Sequence, residues 1–290
     1  MDQINDMKRG EKGAWISIFA YLFLAGSKLT IAYIGTSDAL WADGLNNSTD
    51  VVASIAILVG LRISQKPPDQ NHRYGHYRAE TIASLLAAFI MVAVGLQVLF
   101  STITKMFEEN IARPDMITAW TALGAALIMY VVHRYNLSLS RKINSSALYA
   151  ASQDNRSDAL VSIGAFVGII GAQFGVYWLD PLAGFIVGVI ICKTAWDIFK
   201  DSTLMLTDGF DEDRLKKIKE EISRFPEVKL VEDIKGRALG NQSVLDVTIK
   251  VNPELNVRQS HDITVHIEEE LAEKHGILYT HIHIEPYNEK

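Results

Sequence analysis

Residues 81–104 read TIASLLAAFIMVAVGLQVLFSTIT, 24 residues without a charge. About 20 apolar residues in a helix cross the hydrocarbon core of a bilayer, so this stretch is long enough to span one. Ala159–Leu179 is a second uncharged run, of 21 residues, and Met116–Val132 a shorter one of 17 between Pro114 and His133-Arg134. Gly13–Gly35 is broken only by Lys28, and Leu40–Leu61 only by Asp43 and Asp50. Pro181–Phe199 carries Lys193 and Asp197 near its end, where side chains can reach the interface. The sequence therefore predicts six membrane helices.

Charge separates the remainder. Residues 201–290 hold 19 of the 34 acids and 12 of the 28 bases, leaving 15 acids and 16 bases for residues 1–200. The first two-thirds has too few charges for a water-exposed surface, whereas the last third is acidic and soluble in character. The expected division is a transport domain over residues 1–207 and a cytosolic domain over 208–290. A single cysteine, Cys192, excludes a disulfide framework and a cysteine-rich metal site. The net charge of −6 does not suit a nucleic-acid partner. Met1–Lys12 is charged and polar and no small-residue cleavage site follows the first span, which is therefore expected to be an uncleaved anchor. Lys8, Arg9 and Lys12, then Arg62, Lys66, Arg73 and Arg78, then Arg134, Arg141 and Lys142 fall on one side; Lys105 and Arg113 fall on the other. The positive-inside rule places both termini and the tail in the cytosol of a multi-pass cell-membrane protein.

The tail changes period. Asp211–Arg224 is a charged helix with an acid at its positive end and Pro226 beyond it. Val228–Ile234 and Val244–Val251 alternate like half-buried strands, with Gly236 and Gly240-Asn241 as the turn between them. Val257–His275 is an amphipathic helix stopped by Gly276, and Leu278–Ile284 is a last strand. The order αββαβ predicts an α+β domain of ferredoxin-like or metallochaperone-like form, two helices covering a three-stranded sheet.

The chemistry lies in the spans. Asn46 and Asp50 are four residues apart in the second, and Asp154 and Asp158 repeat the spacing in the fifth, so each pair shares a helix face. A charge at membrane depth costs at least about 2.5–3.5 kcal/mol, which argues for a role. Arg156 could pair with one of these acids, but it sits two residues from each and so faces elsewhere. Four convergent oxygen ligands for a divalent cation explain the pattern better. Asp43 faces roughly the same way toward the outer surface, either as a vestibule residue or as a cap near the helix start.

These spacings, six spans with both ends inside, the loop DQNHRYGHYRAE at 69–80 and the αββαβ tail together resemble the cation diffusion facilitators over nearly the whole chain. The resemblance implies export of divalent transition metals from the cytosol in exchange for protons, by homodimers joined largely through their cytosolic domains. Zinc transporters of that family have Asp-xxx-Asp in span two and His-xxx-Asp in span five. Here the matching positions are Asn46-xxx-Asp50 and Asp154-xxx-Asp158, similar to the manganese-exporting branch. Imidazole suits zinc, whereas carboxylate and amide oxygens suit harder ions. Mn²⁺ is thus the expected cargo, with Fe²⁺ next, Zn²⁺ disfavoured, and magnesium or calcium permitted by ligand type alone. No resident cofactor is implied. Three crowded carboxylates titrate as a coupled set, and a metal that needs them deprotonated competes with protons.

Two further clusters follow from the resemblance. Asp69, His72 and His76 match a metal-binding triplet of zinc members; the alternative is a polar loop bonding its own backbone. Arg78 matches a basic residue that pairs with an acid at the foot of span six, the position of Asp208. In the tail, His281, His283 and Glu285 share a strand face, with His261 and Asp246 nearby. Zinc members bind metal here at the dimer interface, and His261, His283 and Glu285 fit, while Glu232 and Thr248 stand where histidines are expected. A regulatory metal site and a solvated acidic face are the two readings. An intramembrane aspartyl protease would carry a GxGD-type sequence, which is absent, and a metal sensor would need no ligands at mid-membrane. A transporter, not an enzyme, is expected.

Overall fold

The computed structural model describes residues 2–35, 38–105, 116–176 and 178–288, with side chains described except at 2–8, 32, 34–35, 38–43, 45–46, 49, 105, 172 and 180. The chain forms two compact units, residues 1–202 and 203–290. The first holds six long helices, α1 (Asp2–Gly35), α2 (Asp38–Ser64), α3 (Arg78–Lys105), α4 (Met116–Ile143), α5 (Ser146–Gln173) and α6 (Leu179–Leu206), the last running into the second unit. At 1.5 Å per residue the 28-residue helices are about 42 Å long, more than a hydrocarbon core needs.

Among the described residues, four segments are long and apolar enough to cross a membrane: Arg9–Ile31, Arg78–Thr104, Met116–Ile143 and Pro181–Leu206. The other two helices, α2 and α5, carry Asp50 and the Asp154–Asp158 pair. They sit among the apolar four, since α5 touches each of α1, α2, α3 and α4. Phe19, Phe100 and Leu127 point outward, as lipid-facing side chains should. Alanines line the inner seams: Ala14, Ala83, Ala87, Ala147 and Ala151 are buried in one cluster with Ile57, Leu61 and Met91. Small residues allow close helix approach where no water drives association. Gly188 of α6 shows it directly, because a Cβ there would lie 2.8 Å from Leu99 of α3.

Three boundaries differ from the sequence reading. α1 is already helical at Asp2, and further along it Glu11 accepts hydrogen bonds from Arg62 in the last turn of α2 (3.1 Å) and from Gln65 just beyond it (2.9 Å). α4 runs to Ile143, so Arg134, Arg141 and Lys142 lie on a helix instead of in a connection. α5 starts at Ser146, not Ala159: Ser145 Oγ accepts from the Leu148 N–H (3.1 Å) and the buried Glu80 carboxylate from the Ala147 N–H (3.4 Å). These acceptors satisfy first-turn donors that an open helix end leaves unpaired. The polar half, Ser146–Asp158, is therefore helical and faces the bundle, which a search for uncharged windows overlooks.

The second unit contains α7 (Glu212–Ile222), β1 (Leu230–Leu239), β2 (Gln242–Val251), α8 (Val257–His275) and β3 (Tyr279–Pro286). Asp211 caps α7 by accepting from the Arg214 N–H at 2.6 Å. Asn256 and Gln259 form a capping box on α8, and Gly276 ends it at φ 61°, a conformation glycine adopts without Cβ strain. The sheet has order β1-β2-β3, antiparallel then parallel, with α8 as the crossover that a parallel pair requires. Gly236 lies inside β1 against the Phe210 ring instead of in the turn, which is made by Gly240 and Asn241. Leu245, Val247, Ile249 and Val251 face the helices, packing on Ile218, Ile222, Ile267 and Leu271. Asp246, Thr248 and Lys250 take the opposite face.

Candidate metal centre

The two α5 carboxylates meet at one group. Tyr21 of α1 is fully buried, and its hydroxyl lies 3.2 Å from Asp154 Oδ2 and in closer hydrogen-bond contact with Asp158 Oδ2. The i, i+4 spacing puts both acids on one face of α5, and that face looks toward α1. Asp50 of α2 is 4% exposed, accepts from Asn47 Nδ2 at 3.3 Å, and lies within Coulombic reach of Asp158 and Tyr21. Two carboxylates thus meet at Tyr21, with the buried Asp50 of α2 near enough to act on them electrostatically, although the three acids do not bring an oxygen each within 4.8 Å of one another. The Asn46 backbone lies in α2 one turn before Asp50, but its side chain and that of Asp43 fall outside the described residues. Arg156 is exposed and donates to Gln153 Oε1 (3.5 Å), a residue other than the two acids.

Around these acids lie polar side chains that spacing did not single out. Asn155 Nδ2 donates to the Tyr21 hydroxyl (3.2 Å), and Asn155 Oδ1 accepts from Ser17 Oγ (2.9 Å) and Asn136 Nδ2 (3.2 Å). Asn136 also donates to Ser17 at 2.8 Å. Lys28, 2% exposed, is within Coulombic reach of Asp158. The available signal was their polarity inside apolar runs, with Tyr21 and Lys28 seven residues apart on one face of α1. His133 is buried at the α4–α5 interface, its Nδ1 2.7 Å from the Ser152 carbonyl.

The loop cluster is local. Asp69 Oδ1 accepts from the backbone N–H groups of His72 (2.7 Å) and Asn71 (2.9 Å), which hold its carboxyl below the usual carboxylate range. His72 Nδ1 and His76 Nε2 each lie 3.3 Å from an Asp69 oxygen, and the imidazoles are 4.3 Å apart. One ligand atom from each of the three residues falls within 4.8 Å of the others, a spacing a cation can bridge. Both sequence readings, metal triplet and self-bonded loop, describe the same geometry.

The tail residues are not gathered. His281, His283 and Glu285 occupy the open sheet face beside Asp246, Thr248 and Lys250. Asp246 pairs with Arg237 (3.4 Å), while Glu285 has Lys250 (3.8 Å) and His283 (3.7 Å) as partners. His261 belongs to α8, in the helix layer on the other side of the sheet. Among the described residues, Asp246, His261, His283 and Glu285 form no ligand cluster within one chain. Local ion pairs and the sheet itself divide what adjacency in sequence had suggested. Arg78 opens α3, and Asp208 follows α6 in left-handed backbone (φ 61°).

Residues 14–207 match the cation efflux transmembrane domain, and residues 210–287 the cation efflux protein cytoplasmic domain. The chain belongs to the cation efflux family. Within this family it is 53% identical over 290 residues to the manganese efflux system protein MneS of Bacillus subtilis, covering all of both chains. It is 32% identical to the manganese efflux system protein MneP of the same organism, over 96% of this chain and 97% of that one. It is 26% identical to the magnetosome protein MamM of Paramagnetospirillum magneticum, over 86% and 79% respectively. Cation efflux proteins are multi-pass transporters, so the convergent acids lie in a transport domain and not in a protease.

Proposed function

We propose that this protein exports Mn²⁺ from the cytosol in exchange for protons, by alternating access, as a homodimer in the cell membrane with both termini cytosolic. The observation that carries the reading is the meeting of Asp154 and Asp158 at Tyr21 inside the helix bundle, with Asp50 buried on α2 and acting on Asp158 electrostatically. Asn46 is the fourth ligand of the proposed site. All four donors are oxygens, which suits manganese better than zinc. The relatives named as manganese efflux proteins support the same cargo.

Cation entry requires ionised carboxylates, so binding expels protons, and reprotonation on the far side releases the ion. The aspartates carry those protons, since no histidine occupies positions 46, 50, 154 or 158. Asp69, His72 and His76 are proposed as an auxiliary cation site of the loop. A regulatory site using Asp246, His261, His283 and Glu285 would need groups from both copies of the dimer. Asp43 as a vestibule residue and an Arg78–Asp208 link between the units complete the proposal.

The test is metal uptake into proteoliposomes or inside-out vesicles with Mn²⁺, Fe²⁺ and Zn²⁺, with a pH gradient imposed and collapsed. Mn²⁺ uptake driven by the gradient, with proton counterflow, is expected. Zn²⁺ transport in preference to Mn²⁺ would overturn the cargo, and uptake indifferent to the gradient would overturn the exchange.

A further inference from the structure

The polar network that ends on the α5 carboxylates does more than join helices. It begins at Asn136 of α4, whose Nδ2 donates to Ser17 Oγ (2.8 Å) and Asn155 Oδ1 (3.2 Å). Ser17 Oγ donates to the same Asn155 oxygen at 2.9 Å. Asn155 Nδ2 then donates to the Tyr21 hydroxyl oxygen at 3.2 Å. Ser17, Tyr21 and Asn136 are fully buried and Asn155 is 1% exposed, so water does not compete for these bonds.

The order of donors fixes where the phenol points. A tyrosine hydroxyl has one proton to donate and lone pairs that accept. Asn155 occupies the accepting side, leaving the O–H to aim at the carboxylates. The hydroxyl meets one oxygen of Asp154 and one of Asp158, and its single proton is directed mainly to the nearer, that of Asp158. The contact takes one oxygen of each acid and leaves the other outside this hydrogen bond. Asn155 can reach α1 because it follows Asp154 by one residue and points about 100° around the helix.

We propose that Tyr21 is a positioning residue of the transport site. Its hydroxyl, oriented by Asn155, Ser17 and Asn136, holds Asp154 and Asp158 in the arrangement that binds the cation, which makes α1 part of the site. This rests on the reading of Asp50, Asp154 and Asp158 as ligands. Hydrogen-bond partners that orient metal-ligating groups contribute about 10–100-fold to affinity or activity.

The experiment is Mn²⁺ uptake by full-length protein in proteoliposomes, comparing wild type, Tyr21→Phe, Asn155→Ala, Tyr21→Phe/Asn155→Ala and Asp158→Ala. Tyr21→Phe should raise KM for Mn²⁺ by about 10–100-fold, and Asn155→Ala should raise it less. Helix glue alone would lower the active fraction, and hence the maximal rate, without changing KM of the transporters that remain. The double variant should match Tyr21→Phe, because Asn155 acts through the phenol and their effects cannot add. An unchanged KM in Tyr21→Phe overturns the proposal, as does an Asn155 effect that persists in full without the hydroxyl. If Tyr21→Phe does not insert, Ser17→Ala takes its place: a raised KM supports the network, and a wild-type KM with a lowered maximal rate overturns it. Asp158→Ala separates the two levels. Uptake surviving in Asp158→Ala sinks the site itself, whereas a dead Asp158→Ala beside a wild-type KM in Tyr21→Phe sinks only the tyrosine.

Discussion

Two clusters of acids in the membrane unit are built in opposite ways. Asp69 organises its own loop: its oxygens meet N–H groups two and three residues away, and both imidazoles come from the same eight-residue stretch. Asp50, Asp154 and Asp158 are arranged by partners at long sequence distance, with Tyr21 133 and 137 residues from the two α5 acids. Asp69 is half exposed, whereas Asp50 is 4% exposed. Water can replace a lost polar group in the loop, but not between buried helices, where an unpaired polar group has no other partner. The depth of the site therefore sets how much each substitution matters.

The largest effects belong to the buried acids. Asp50→Ala or Asp158→Ala should reduce Mn²⁺ uptake to background, and Asn46→Ala should cost less, since a neutral amide contributes only a dipole. Normal manganese tolerance in cells carrying either aspartate variant would break the contrast at its stronger end.

Selectivity comes next. Asp154→His adds a borderline-soft nitrogen and removes one negative charge, and Asn46→Asp restores that charge. The ratio of Zn²⁺ to Mn²⁺ transport should rise on the order of tenfold in the single variant, the size of one ligand's contribution, and further in the double. Competition uptake with both metals measures it; an unmoved preference in the double variant would mean that first-contact chemistry does not choose the ion.

The loop should yield a smaller change. Asp69→Ala removes the acceptor for two backbone N–H groups and the link between His72 and His76, so one Mn²⁺ per protomer should be lost in equilibrium titration while uptake continues. Because the folded Asp69 carboxyl is depressed, its contribution to loop order is present above the ordinary aspartate value and is lost as pH falls below that value through the lowered folded one. Abolished transport in Asp69→Ala would erase the distinction between the sites.

The smallest effect lies in the cytosolic unit. Lys274 and then His275 (2.8 and 2.5 Å) pull the Glu221 carboxyl down to about 2, and Lys274 rises to about 12 between Glu221 and Glu270. The Glu221 contribution should be complete above about pH 4.3, the unfolded value, and lost between there and about pH 2. Glu221→Gln should cost under about 1 kcal/mol near neutrality, the usual worth of a pair near the surface. Thermal unfolding of the full-length protein at pH 7 and pH 3 checks both size and sign.

Much of this was legible in the residues. Runs without charge located the bundle, because apolar length is a local property that lipid reads directly. Alternation in Val244–Val251 and the stop at Gly276 after His275 placed β2 and α8, whose caps are made within one turn. The i, i+4 spacing of Asp154 and Asp158 fixed their common face, since helix geometry alone decides it. The spacing of Asp69, His72 and His76 was enough to bring them together in one loop.

Tertiary structure decided what depends on a neighbouring helix. It showed that α5 begins at Ser146, because the acceptors of its first turn include Glu80 on α3. It brought Tyr21, Ser17, Asn136 and Asn155 into one hydrogen-bonded set, none of which any local period predicts. It also parted His261 from His283 across a sheet and gave Asp246 to Arg237. Sequence sets which groups must leave lipid and which face of a helix they share. Which partner satisfies them is a property of packing, because a buried donor must bond to whatever the fold has placed within about 3 Å of it.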